Sequence, residues 1–197
     1  MVKAETPWHK YALIAELTNL MEKSKKQLGK TTLQKMVYLL DSIYKVSCGY
    51  KFSLYLYGPY SSDLMYDLGY VENLGGIKID EAAGGGYSIT KKDNYSKIVE
   101  EASDFLDKYR PQISQAIADF GDYNTRDLEL RSTIIFVYND LLVSGKKTDF
   151  DSLLSQVKNI KRHFPNEEVN CAISELQAKG FLNELDFFKN TKSGRFS

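Results

Sequence analysis

Histidine and cysteine are scarce in this 197-residue chain, two of each, and their scarcity removes several kinds of chemistry at once. Cys48 and Cys171 stand far apart and neither belongs to a C-x-x-C pair. A disulfide framework and a zinc knuckle therefore lack support, and both thiols are expected to be buried. His9 and His163 lie outside any G-x-S-x-G or H-E-x-x-H context, so each reads as an ordinary surface or satisfied histidine. The carboxylate pair Asp63 and Asp67, and the group Glu100, Glu101 and Asp104, have no histidine at ligand spacing and read as solvated acidic faces. No catalytic residue, metal site or cofactor is assigned on these grounds, and no enzymatic activity is expected.

Long apolar runs are also missing. None approaches the roughly 20 residues that a membrane-spanning helix needs. The opening "MVKAETPWHK" has no apolar signal-peptide core, so a cytoplasmic location is expected. Hydrophobic residues at 43% and charged residues at 26% fit an ordinary globular chain. Net charge is absent too, with 26 basic and 26 acidic residues. That balance hides a polarity. The first sixty residues carry nine lysines against four acids, and the other 137 carry seventeen bases against twenty-two acids. Most of the basic excess is one cluster, Lys23, Lys25, Lys26 and Lys30, and a solvated surface is its simplest reading.

Tyrosine is what the chain has in plenty, at 14 residues. Tyr50, Tyr55, Tyr57, Tyr60, Tyr66 and Tyr70 crowd one short segment. A tyrosine offers a large apolar ring with a polar tip, which suits a binding surface. Tyr55, Tyr57, Tyr60 and Tyr66 are the candidate partner-binding residues. The competing account is that helices of the same chain cover these rings.

The stretch "SKKQLGKTTLQKMVYLL" contains Gly29, Lys30 and Thr31, the closing letters of a nucleotide-binding loop. Such a loop needs a glycine at position 24, where Ser stands, and a strand running into it. Leu13, Leu17, Leu20 and Met21 instead have helical spacing, so the phosphate-loop reading fails. Thr31 and Gln34 fit a T-x-x-Q capping box, and Leu33, Met36, Val37, Leu40 and Tyr44 form one apolar stripe behind it. The spacing predicts a helix–turn–helix corner with Gly29 in the turn.

Phe52, Leu54 and Leu56 alternate with polar residues as in a half-buried strand, which Gly58 and Pro59 break. Ser61 or Ser62 can cap a third helix buried along Leu64, Leu68 and Val71. "IKIDEAAGGGYSIT" reads as a hairpin turning at Gly84 to Gly86, and not as a dinucleotide loop, since a strand follows where a helix is required. Residues 94–120 read as two helices broken at Arg110–Pro111. Helices around Leu128–Leu142 and Phe150–Ile160 and one opening near Pro165 complete the chain. The expected fold is mainly α with a small β-hairpin: a winged helix–turn–helix-like unit followed by a helical C-terminal half. Its expected parts are a winged-helix-like unit over 1–92, a connecting helical pair over 93–122, a three-helix unit over 123–188 and a frayed tail over 189–197. One compact domain could hold them all.

A winged helix suggests DNA, and Lys23, Lys25, Lys26 and Lys30 are the candidate contacts under that alternative. The third helix, which should enter the major groove, carries Asp63, Asp67 and Glu72 and no lysine or arginine. Phosphates would repel it. A protein partner is the leading reading.

"KTTLQKMVYLLDSIY" followed by "YKFSLYLYGPYSSDL" resembles the YwgA-like proteins and, more distantly, the SocA-like antitoxin domain called Panacea. Leu33, Gln34, Lys35, Tyr38, Tyr57, Gly58, Pro59, Ser61 and Leu64 carry the resemblance. "FPNEEVNCAISELQAKGFL" is similar to the family's closing helix and strand. The resemblance implies a small helical domain without enzymatic activity, which in the antitoxin branch neutralises a toxin by direct contact. Tyr60 stands where that branch usually has Val, and the strand lacks its usual Trp, so the YwgA-like branch is the nearer one.

Overall fold

The structure is a computed structural model that describes residues 6–183. The tail expected over 189–197 and the end of the last helical unit lie outside the described residues. Eight helices and two antiparallel strand pairs follow in the order α1 (Trp8–Lys23), α2 (Lys30–Ser42), β1 (Ser53–Tyr55), β2 (Gly58–Tyr60), α3 (Ser62–Asn73), β3 (Ile77–Glu81), β4 (Tyr87–Lys91), α4 (Tyr95–Glu100), α5 (Ser103–Phe120), α6 (Thr125–Val143), α7 (Phe150–Ile160) and α8 (Asn166–Ala178). The chain divides into two units, up to Ser132 and from Thr133, with the division inside α6.

In the first unit α1 is the central helix. The sequence suggests one apolar stripe, yet every residue from Tyr11 to Asn19 is buried. A helix surrounded on all sides has no solvent face, and α3, α4, α5 and β4 all pack on this one. Its polar residues must then find partners inside. The Glu16 carboxylate, fully buried, is held by the Arg110 guanidinium, the Tyr95 hydroxyl and the Asn19 amide at 3.2 Å. This network ties α1 to α4 and α5.

The corner between α1 and α2 closes through Lys25, whose φ of 55° is left-handed, while the Lys26 amide donates back to Met21 O at 2.9 Å. Glycine is the usual residue at such a helix end, and a lysine there costs about 1 kcal/mol. The second hairpin is stitched to the corner by the Ile89 amide donating to Leu28 O at 2.8 Å. It pairs Ile79 with Ile89, as the sequence pattern suggests.

Three local expectations are corrected. Thr31 is not the cap of α2: the helix starts at Lys30 with Gly29 as N-cap, and no side chain caps it. The segment after Lys51 is a short hairpin, with Ser53 opposite Tyr60 and Tyr55 opposite Gly58, so Leu56 falls in the turn and is exposed and not inward. Pro111 lies inside α5, and the break between helices falls at Glu101–Ala102 instead. Ser61 does cap α3, accepting from the Leu64 amide at 3.4 Å, and Leu64, Leu68 and Val71 are buried.

In the second unit α7 and α8 pack through Leu153, Val157, Val169, Ile173 and Leu176, all buried. The Asp149 carboxylate caps α7 by accepting from the Ser152 amide at 2.8 Å. Cys48 is buried, but Cys171 is exposed, because it stands on the outward face of α8 between the buried Ala172 and the half-buried Asn170.

Candidate functional site

The Leu33–Gln34–Lys35 segment of α2 explains how the first hairpin is held. Leu33 is core, and its two polar neighbours are also buried, each only 2% exposed. The Gln34 side chain makes both bonds of an amide pair with the Ser61 backbone, its Nε2 donating to Ser61 O at 2.8 Å and its Oε1 accepting from Ser61 N at 2.9 Å. The Lys35 ammonium donates to Pro59 O at 2.8 Å. Backbone polar groups next to a proline have few partners of their own, and these two side chains supply them. The segment from Gly58 to Ser61 is thereby fixed on α2, and the opposite arm and turn are left projecting.

What projects is aromatic. Tyr55 is 64% exposed, Leu56 72%, Tyr57 66% and Tyr66 73%, with Tyr60 less so at 37%. Tyr55 and Tyr60 lie on one face of the hairpin with ring centroids 5.9 Å apart. All four tyrosines singled out in the sequence are therefore on the surface. Leu56 belongs with them, and the alternation pattern hid it by assigning it inward. Beside the rings is a hollow of about 280 Å³ lined by Lys30, Thr31, Gln34, Lys35, Gly58 and Met65 together with three of the tyrosines.

The other two tyrosines of the crowd are used within the chain. Tyr50 is buried with the Lys10 ammonium 4.5 Å from its ring centre, and Tyr70 stacks on Tyr11 at 5.2 Å. Burial, together with the nearby Asp67 charge, pushes the Tyr50 hydroxyl above its usual range. Burial likewise raises the Asp67 carboxyl, against the pull of Tyr50 and Lys10. His9 is shifted the other way, downward, by burial and by Lys10.

The acids of α3 are thus partly structural. Asp67 is buried, and Glu72 accepts from the Ile79 amide at 2.8 Å. The outer face of the helix shows Ser62, Asp63, Tyr66, Tyr70 and Asn73, without a basic residue.

The lysine cluster does not act as one patch. Lys23 and Lys25 are exposed. Lys26 is folded back onto Ile117 O at 3.1 Å and onto the Asp122 carboxylate at 3.0 Å. Lys30 lies over the Tyr87 ring at 3.5 Å. Lys25, Lys26 and Lys30 border a cleft of about 550 Å³ that also takes in Thr31, Thr32, Tyr87 and Tyr123. Lys30 and Thr31 line both hollows, so the tyrosine surface and the basic corner are neighbours. Tyr87 and Thr32 carry no motif that would single them out in the sequence. Among the described residues no three His, Cys, Asp or Glu side chains cluster as metal ligands do, and no helix is long and apolar enough to cross a membrane.

A mainly helical protein with two small strand pairs and a projecting aromatic hairpin is what these features define. No family model matches the chain. The chain is similar to the uncharacterised protein YwgA of Bacillus subtilis, at 28% identity over 166 residues, which covers 83% of this chain and 93% of that protein. That likeness supports the YwgA-like resemblance drawn from the α2 and hairpin motifs.

Proposed function

We propose that this protein is a non-enzymatic, cytoplasmic protein-binding module, antitoxin-like or regulatory, whose contact surface is the first hairpin and the outer face of α3. The observation that carries this reading is the exposure of Tyr55, Leu56 and Tyr57 on a hairpin whose base is pinned by Gln34 and Lys35, together with that of Tyr66 on the outer face of α3. Exposed rings on a rigid support lose little freedom on binding, which is how aromatic residues come to anchor interfaces. The more distant likeness of the Leu33–Gln34–Lys35 and Tyr57–Gly58–Pro59 motifs to the SocA-like antitoxin domain suits a toxin as the partner.

A winged-helix DNA regulator is the alternative. The order helix, helix, strands, helix, hairpin favours it, as do the lysines at the corner. The α3 surface opposes it, because a recognition helix presenting Asp63 and no basic residue would meet phosphate repulsion.

Pull-down with the full chain separates the two readings. A co-purifying protein should be released by Tyr57→Ala and Tyr66→Ala, each weakening it by about 1–2 kcal/mol if anchoring, and retained by Lys25→Glu. Duplex DNA binding that survives the tyrosine changes and collapses on the lysine change would replace the proposal.

A further inference from the structure

The hollow beside the aromatic hairpin has a definite chemistry. Its walls include the rings of Tyr55, Tyr57 and Tyr60 and the half-buried side chain of Met65, near the start of α3. A thioether chain adapts its shape to what it meets, and methionine is common on surfaces that accept partners. The Tyr55 and Tyr60 rings already rest against each other, with centroids 5.9 Å apart. At about 280 Å³ the hollow falls just short of the roughly 300–1,000 Å³ of small-molecule pockets. It has room for one large side chain presented by another polypeptide.

Every formal charge in that lining is positive. Lys30 and Lys35 line the hollow, and no aspartate or glutamate does. The Lys35 ammonium is buried against Pro59 O at 2.8 Å, so Lys30 is the charge that an incoming chain meets. The Lys30 ammonium rests 3.5 Å from the centre of the Tyr87 ring, and among the described residues no carboxylate pairs with it. A ring face satisfies an ammonium only in part, which leaves the cation able to take an anionic partner as well. Asp63 shares the outer face of α3 with Tyr66 but does not line the hollow. Lys25 borders only the neighbouring cleft, and Lys26 is paired with Asp122.

We propose that the hollow takes a large apolar side chain from an acidic segment of the partner, with a carboxylate beside that side chain meeting the Lys30 ammonium. This inference rests on the reading of the tyrosine surface as a protein contact, and it adds the chemistry of the partner. The rings supply contact area and Lys30 supplies the sign of the charge. A basic segment would set like charges against each other, and a purely apolar one would cover Lys30 without giving it a partner.

The test is selection of a phage-displayed random peptide library on the immobilised full chain, followed by anisotropy titration of the most enriched peptide, made with a fluorescent label. Enriched sequences should carry Asp or Glu beside a Trp, Phe, Tyr or Leu. Affinity for the peptide should fall about tenfold on Tyr57→Ala. It should fall about two- to fivefold on Lys30→Gln, the range of an exposed ion pair, and weaken as salt is raised. Lys25→Gln, outside the hollow, should leave it unchanged. If Lys30→Gln does not fold, replacing the peptide's own acids with Asn or Gln should give the same loss from the other side. Peptides that need Tyr57 but carry no acids, or whose acids do not matter, overturn this inference and leave the tyrosine contact standing. Acidic peptides that bind regardless of Tyr57 belong to the basic corner and overturn both. No enrichment over the Tyr57→Ala variant overturns this inference alone, because the pull-down still tests the contact with a folded partner. Self-association in sedimentation that Tyr57→Ala abolishes also overturns it, by giving the hollow to a second copy of the chain.

Discussion

Gln34 on α2 and Ser61 at the start of α3 are joined by two hydrogen bonds between one side-chain amide and one backbone peptide, at 2.8 and 2.9 Å. A buried amide pair of this kind replaces the partner strand that the edge of the hairpin would otherwise lack. Gln34→Leu keeps the side-chain bulk and leaves both Ser61 groups unpaired. A loss of about 2–4 kcal/mol is expected in urea unfolding, the sum of two stranded backbone groups. An unchanged midpoint would mean that water replaces the glutamine.

Thr31 is expected to tolerate alanine. Its hydroxyl does not cap α2, since Gly29 occupies the cap position, so Thr31→Ala should change stability by less than about 0.5 kcal/mol. A true N-cap would cost about 1 kcal/mol, and denaturant melts resolve the two.

Glu16 should be far more sensitive. Removing its carboxylate leaves Arg110, Tyr95 and Asn19 without their shared partner in the middle of the first unit. Glu16→Ala should destabilise the protein by about 1–3 kcal/mol, because the hydrogen bonds to a buried carboxylate are lost while the half-exposed Arg110 returns to water. Thermal unfolding of the variant checks this.

The hairpin tip and the outer face of α3 should behave in the opposite way. Tyr57→Ser and Tyr66→Ser remove side chains that are mostly in water, so unfolding midpoints should stay within about 0.5 kcal/mol of the parent. A large loss from either variant would show that the ring is covered within the chain and is not available to a partner.

Asp149 provides a pH signature for the second unit. Its carboxyl is held down to about 2, first by Lys147 and then by the Ser152 hydrogen bonds. A carboxyl lowered in the folded state stabilises above its unfolded value of about 4, and that contribution is lost as pH falls from there toward 2. Asp149→Asn retains a capping oxygen without the charge. Its stability should therefore fall less steeply over that acid range, as measured by unfolding at stepped pH.

The sequence by itself determined most of the helices, though not the break between α4 and α5, as well as the second hairpin and the chemistry that is scarce. Periodic apolar positions such as Leu64, Leu68 and Val71 mark a buried face wherever they occur, and Gly84 to Gly86 turn the chain without help from distant residues. Tertiary structure decided everything that depends on what lies opposite. Gln34 reads locally as a capping-box residue, but Ser61, twenty-seven positions on, offers it two bonds where the helix start offers one. Leu56 reads as inward by alternation, and a turn between Tyr55 and Gly58 puts it outside. The tyrosines were countable from the start. Which were buried, as Tyr50 is, and which were left in water, as Tyr57 and Tyr66 are, was settled only when other elements packed against them, because exposure belongs to the space around a side chain and not to the side chain.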